Sequence, residues 1–212
     1  MNSTNDGHHL LRASKNAVFN PVETFESEKE FATLKRGIMT FLFPATALIL
    51  VLFLLVSFSA FLPQPFSLIG TVLGGVGLLL LLLYLIPVLL GSLINSFIST
   101  GIVFVVARLL GGKGRFVEQY YLSYLPMPFL SLIAAVSLIP ILILAALLPS
   151  LALLLVGLLA IIFVVYFLYL YLTALRVAHD FSWGKTIVAA LVLLLPLVVV
   201  IFAIAGILLS FL

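Results

Sequence analysis

Residues 151–175 read LALLLVGLLAIIFVVYFLYLYLTAL, with no Asp, Glu, Lys or Arg. An α-helix needs about 20 predominantly apolar residues to cross the roughly 30 Å of bilayer hydrocarbon, so this stretch spans as one helix. It is no strand of a closed barrel, because apolar and polar residues do not alternate along it. Outward from it the pattern recurs: residues 38–62, 131–148 and 186–212 also lack all four charged residue types. The chain is 65% hydrophobic and 8% charged, against about 45–50% and 25% in soluble domains, which excludes a soluble fold. The reading is an all-α, polytopic membrane bundle.

Residues 1–37 are polar and the apolar run after them is too long for a cleavable signal core, so the first span is expected to be its own insertion signal. There is no cysteine, which excludes disulfides, thiolate metal sites and a cysteine nucleophile.

The ten Lys and Arg fall in three segments: Arg12, Lys15, Lys29, Lys35 and Arg36; Arg108, Lys113 and Arg115; Arg176 and Lys185. The linkers LPQPF near Pro63 and LLPS near Pro149 carry none. Lys and Arg are retained on the cytoplasmic side, so the basic segments should share that side, separated by even numbers of spans. Two spans meeting at Pro149 satisfy this between Arg115 and Arg176. Between Arg36 and Arg108, residues 66–110 would make a straight helix of roughly 67 Å, about twice the hydrocarbon thickness. We read residues 66–87 as an extended, re-entrant or outer-surface helix that leads into one crossing ending near Leu110. Five crossings result, with the N-terminus cytoplasmic; six is the alternative, which would set the tail opposite Lys113. The domains are then a cytoplasmic tail, 1–37, and a transmembrane domain, 38–212.

Within the tail, residues 1–18 read as disordered. Asn20-Pro21-Val22-Glu23 has the form of a helix start, and Ser27-Glu28-Lys29-Glu30 that of a capping box, so two short amphipathic helices are expected. Phe19, Val22, Phe25, Phe31 and Leu34 would lay them on the membrane face or dock them onto the protein's own loops.

In the second crossing Gly91, Asn95 and Ser99 recur every four residues beside a parallel row of Ser92, Ser96 and Thr100, the spacing of a close-packed helix face. In the fourth, Tyr166, Tyr169, Thr173, Arg176 and Asp180 fall within about an 80° arc. Arg176 and Asp180 are spaced to pair. Such a stripe avoids lipid and should face the bundle as a polar network with Asn95 and Ser99. Pro87, Pro140 and Pro196 interrupt apolar runs and bend their helices.

GGKGR, residues 111–115, invites comparison with a phosphate-binding loop. A Walker loop needs four residues between its first glycine and GK, then Ser or Thr, and neither is present. Gly111-Gly112 reads instead as a helix end, with Lys113 and Arg115 at anionic head groups.

The strings NPVETF, LLGGKGRF, YLSYLP and LRVAHDFSWGKTIVAALVLLLP, in that order, resemble the Yip1 family of small multi-span membrane proteins. The resemblance covers Asn20 to the C-terminus and implies five spans with a GGKG-like cytoplasmic loop after the second. The longer acidic and aromatic N-terminal region of eukaryotic members is missing, so the chain is more similar to the prokaryotic branch. That implies a cytoplasmic membrane, or an internal endomembrane in a eukaryote. Eukaryotic members bind prenylated small GTPases and organise vesicle traffic.

The function expected is a non-catalytic scaffold or adaptor that recruits partners at its cytoplasmic face through Arg108, Lys113, Arg115, Arg176 and Lys185. The partner would be a small GTPase or another membrane protein, beside the lipid bilayer and a second copy of the chain. A transport or lipid-handling component is the alternative, motivated by the polar rows and proline kinks; the absence of ionisable residues at mid-membrane argues against ion coupling. An enzyme is disfavoured: His179-Asp180 point apart on a helix, HExxH and GxSxG are absent, and Ser123 and Ser182 lack a positioned base. His179 reads as a loop residue at the membrane surface. No cofactor, metal site or nucleic-acid partner is expected, the His8-His9 pair being too short for metal and the basic residues too few and scattered for nucleic acid.

Overall fold

The helices start and stop where local chemistry requires. A computed structural model describes residues 3–44 and 78–191, and every regular element in that range is helical. In chain order these are α1 (Ser3–Phe19), α2 (Pro21–Glu28), a 3₁₀ turn (Lys29–Phe31), α3 (34–44), α4 (Leu78–Leu109), α5 (Phe116–Tyr124), α6 (Met127–Leu147), α7 (Pro149–His179) and α8 (183–191). Pro21 opens α2 and Pro149 opens α7, at the first-turn position where a missing N–H has no consequence. Among the described residues, three segments are long and apolar enough to cross a membrane: Leu85–Leu109, Phe116–Ser137 and Leu154–His179. The second runs through the junction of α5 and α6.

Residues 1–18 were expected to be disordered; α1 corrects this from Ser3 onward. Leu10, Ala13, Ser14, Ala17 and Val18 are buried at helical spacing, and this narrow stripe docks α1 onto α6 and α2. The Ser14 hydroxyl accepts the Phe129 N–H at 2.9 Å, and the Tyr166 hydroxyl of α7 donates to the Val18 carbonyl. With α2 against the end of α7, the tail docks onto the protein's own helices. Phe25 of α2 is fully buried against Tyr121, Leu122, Leu125 and Ala178. Such a burial stabilises by about 1.5–3 kcal/mol.

Ser27 starts no second helix. Its hydroxyl turns back to the Thr24 carbonyl at 3.0 Å, Glu28 is drawn inward, and a single 3₁₀ turn leads to α3, which crosses the 37/38 boundary as one helix. Gly37 lets α3 approach α5, since a Cβ there would lie 2.6 Å from the Tyr120 ring. Of the helix expected over 66–87 and leading into the crossing, the part at 78–87 is helical and continuous with it: α4 runs through Pro87 for 32 residues. At 1.5 Å per residue it is about 48 Å long, more than the hydrocarbon thickness. Residues 66–77, the linker at Pro63 and Pro196 lie outside the described residues.

α5 is enclosed by its neighbours. Glu118, Gln119, Tyr120, Tyr121, Leu122 and Ser123 are all buried, and α5 contacts both α4 and α7. It forms a layer under the arm made by α1 and α2, and the ends of α4 and α7 close around it. The three basic segments therefore meet at one end of the bundle.

Candidate functional site

The charged end is built around the glycine loop. Gly111 adopts φ 85°, its N–H donates to the Arg108 carbonyl at 3.0 Å, and the Gly112 N–H donates to the Ala107 carbonyl at 2.9 Å. These two bonds form a Schellman end for α4, where glycine supplies the left-handed conformation without a Cβ penalty. The Lys113 N–H then donates across to the His179 carbonyl at 3.4 Å. Three successive amides are engaged internally, so the loop offers no open nest of N–H groups to a phosphate.

Gly112 and Gly114 serve close approach. A Cβ on Gly112 would lie 2.6 Å from His179 Nδ1, and one on Gly114 would lie 2.1 Å from the Ala178 carbonyl oxygen. The loop thus clasps the last turn of α7. That turn ends on Asp180 at φ 55°, a left-handed position that Asp tolerates, with the Phe181 N–H bonded to the Arg176 carbonyl at 3.0 Å.

His179 is the last residue of α7 and is 1% exposed, which corrects its reading as a loop residue at the surface. Gln119 Nε2 donates to the Thr100 carbonyl at 3.2 Å, which orients the Gln119 oxygen toward His179 Nε2 at 2.8 Å. His179 Nε2–H is therefore the donor. Its Nδ1 faces Gly112 and Gly114 with no hydrogen-bond partner among the described residues. His179, Gln119 and Thr100 tie α7, α5 and α4 together. Beside them, Tyr120 stacks on Phe97 at 4.6 Å and bonds Ser96 Oγ at 3.0 Å.

Most of the predicted contact residues have intramolecular work. Lys185 donates to the Leu110 carbonyl at 3.1 Å and Arg108 to the Gly112 carbonyl at 3.3 Å, cations placed on the negative end of α4. Lys29 does the same at the end of α7, donating to the Val177 carbonyl at 3.0 Å and pairing with Asp180 at 3.1 Å. Arg115 bonds Glu118 at 2.6 Å, while the Glu118 carboxyl accepts the Arg115 N–H at 2.8 Å and starts α5. Arg176 lies over the Trp183 ring at 5.1 Å. Lys113 is exposed, its side chain without a partner among the described residues.

The predicted intramembrane network divides. Tyr166, Tyr169 and Thr173 do share a face: Tyr166 and Tyr169 stack at 6.0 Å, and Thr173 bonds back to the Tyr169 carbonyl at 2.8 Å. Arg176 and Asp180 do not pair as expected, because the left-handed turn carries Asp180 off the helix toward Lys29. Nor does the stripe face Asn95 and Ser99; Tyr166 bonds α1 instead. On α4 the buried row is Ser96, Thr100, Val103 and Ala107, whereas Asn95 is exposed with Gly91 and Ile98 on the opposite face, and Ser99 is half-buried with its hydroxyl bonded to the Ser96 carbonyl. Asn95→Leu is accordingly expected to shift stability by no more than about 0.5 kcal/mol, whereas Ser96→Leu overpacks the Tyr120 contact and costs about 1–3 kcal/mol. Melting of the two variants in detergent checks the contrast.

The residues that join these elements, in roles the sequence did not indicate, are Glu28, Gln119, Tyr120 and Tyr121. The Tyr121 hydroxyl donates to Glu28 Oε2 at 2.7 Å, both groups buried, and fastens the arm to α5. Glu28 just after NPVETF and Tyr121 at the start of YLSYLP were the available signal, but their pairing spans 93 residues.

The strings that meet at this end are those that resembled the Yip1 family, and the family model of the Yip1 domain matches residues 15–206. The chain belongs to the Yip1 domain family. No curated protein and no solved structure shows a significant match to this Yip1 domain protein. The Yip1 domain match begins at residue 15, in the last part of α1, and takes in all of α2.

Proposed function

We propose that this Yip1 domain protein is a non-catalytic integral membrane scaffold that recruits a protein partner at its charged end, in membrane organisation or trafficking. One observation carries the reading: segments at residues 9–36, 108–119 and 176–185 fold into a single platform, so the described charged residues gather at one end of the bundle. Specific polar recognition is available there and not along the apolar crossings. Five crossings are the count in this reading: the three spanning segments among the described residues, with the apolar runs at 38–62 and 186–212, which extend beyond the described residues, as the other two. The positive-inside rule then turns the platform to the cytoplasm. His179, enclosed under the glycine clasp, has no access to a substrate, which favours recognition over acid-base chemistry.

Lys113 is the residue that tests the proposal, since its side chain projects outward and replacing it disturbs no described contact. Lys113→Glu is expected to lower capture of a chemically cross-linked cytoplasmic partner from native membranes by about tenfold, a loss of roughly 1.4 kcal/mol. Melting should stay unchanged. Equal capture by wild type and variant overturns the assignment of this face.

A further inference from the structure

Between α1 and α3 lies a groove of about 340 Å³, lined by Gly7, Leu10 and Leu11 of α1 and Met39 and Phe43 of α3, with Pro128 of α6 also in its lining. Its lining presents almost only carbon. The one hydroxyl, that of Thr40, donates to the Gly37 carbonyl at 2.9 Å and is turned away into its own helix. Leu11 is 36% exposed and Met39 45%, so the lips of the groove are open. At Gly7 the wall has no neighbour within 4 Å of where a Cβ would stand.

Three observations identify what covers this surface. Met39 and Phe43 belong to the apolar run that begins at Ile38, so the groove opens where α3 enters hydrocarbon and is continuous with the bilayer. Lys35 is exposed one turn before Met39 on the same face of α3, at the height of a lipid phosphate. The groove accommodates about ten methylene-sized groups, taking each at the ~30 Å³ of a liquid water, and apolar walls of this kind do not hold water. We propose that the groove between α1 and α3 is a phospholipid site, taking one acyl chain against Gly7, Leu11 and Met39 with the phosphate at Lys35. The lipid then forms the third wall of the arm's docking site, which ties the position of α1 to the leaflet beneath it.

The test uses the full chain reconstituted in vesicles of phosphatidylcholine and phosphatidylglycerol that carry a trace of phosphatidylglycerol with a diazirine at the chain end. Photolysis is expected to concentrate label on peptides containing residues 7–11 and 39–43, above the lipid-facing residues 161–165 of α7. Gly7→Phe fills the groove from a position with free space. Displacing two methylenes of burial, at about 0.8 kcal/mol each, lowers groove labelling about tenfold while the α7 label stays constant. Lys35→Ala leaves the walls intact and is expected to abolish the preference for the phosphatidylglycerol probe over a diazirine-tailed phosphatidylcholine probe, which keeps the test open if Gly7→Phe disturbs the arm. Equal labelling of the groove and of residues 161–165, a groove label unmoved by both variants, or cross-links from the groove to a second copy would each overturn the proposal.

Discussion

Gly114→Ala is expected to abolish the clasp at the charged end and to lower stability by about 3 kcal/mol, the upper part of the usual cost of overpacking. The added Cβ would lie 2.1 Å from the Ala178 carbonyl oxygen and 2.7 Å from its carbon. Both are backbone atoms in the last turn of a 31-residue helix, and no side-chain rotation relieves the contact. Either the loop lifts off α7, breaking the Lys113 to His179 bond, or the last turn of α7 unwinds and releases the Schellman end at Asp180. Gly184→Ala is the control, since nothing lies within 4 Å of a Cβ there. Thermal melting in mild detergent separates them; similar melting of Gly114→Ala and Gly184→Ala would refute the close approach.

Tyr121→Phe is expected to free the arm. It removes the hydroxyl donor to Oε2 of a Glu28 carboxyl that is 7% exposed, whose other oxygen faces His9 Nε2 at 3.5 Å, and a hydrogen bond to such a charged group is worth about 1.5–3 kcal/mol. Limited trypsin digestion reads the result at Lys15 and Lys29: cleavage in the arm should accelerate while the rest of the chain stays intact. Combining it with Glu28→Leu should recover part of the loss, because removing both polar partners costs less than stranding one. An arm equally protected in wild type and Tyr121→Phe would show that the apolar stripe of α1 alone holds it.

What the sequence made legible was what depends on solvent and on local backbone. Charge-free runs of spanning length need no partner to be recognised, because hydrocarbon imposes them residue by residue. The double glycine at 111–112 likewise announces a helix end by itself, and Pro21 a helix start. Long-range pairing was not legible. Leu10, Ala13, Ala17 and Val18 carry helical spacing, but with two alanines the stripe is weak and its ordering comes from α6, which lies more than a hundred residues on. Asn95 and Ser96 are adjacent on α4, and composition favours neither; Tyr120, which decides that Ser96 faces inward, belongs to another helix. Asp180 was spaced to pair with Arg176 on a continuing helix, and the left-handed turn that separates them is set by the clasp.

The bond between Lys29 and Asp180 joins residues 151 apart. A ribosome adding about 5–20 residues each second takes roughly 8–30 s to pass from one to the other. Until α5 and α6 emerge, the newborn arm has no berth, and its apolar stripe is open to any chaperone at the tunnel exit. The Lys29 latch becomes available only when the far end of α7 emerges, so a latched arm records that insertion has proceeded at least that far.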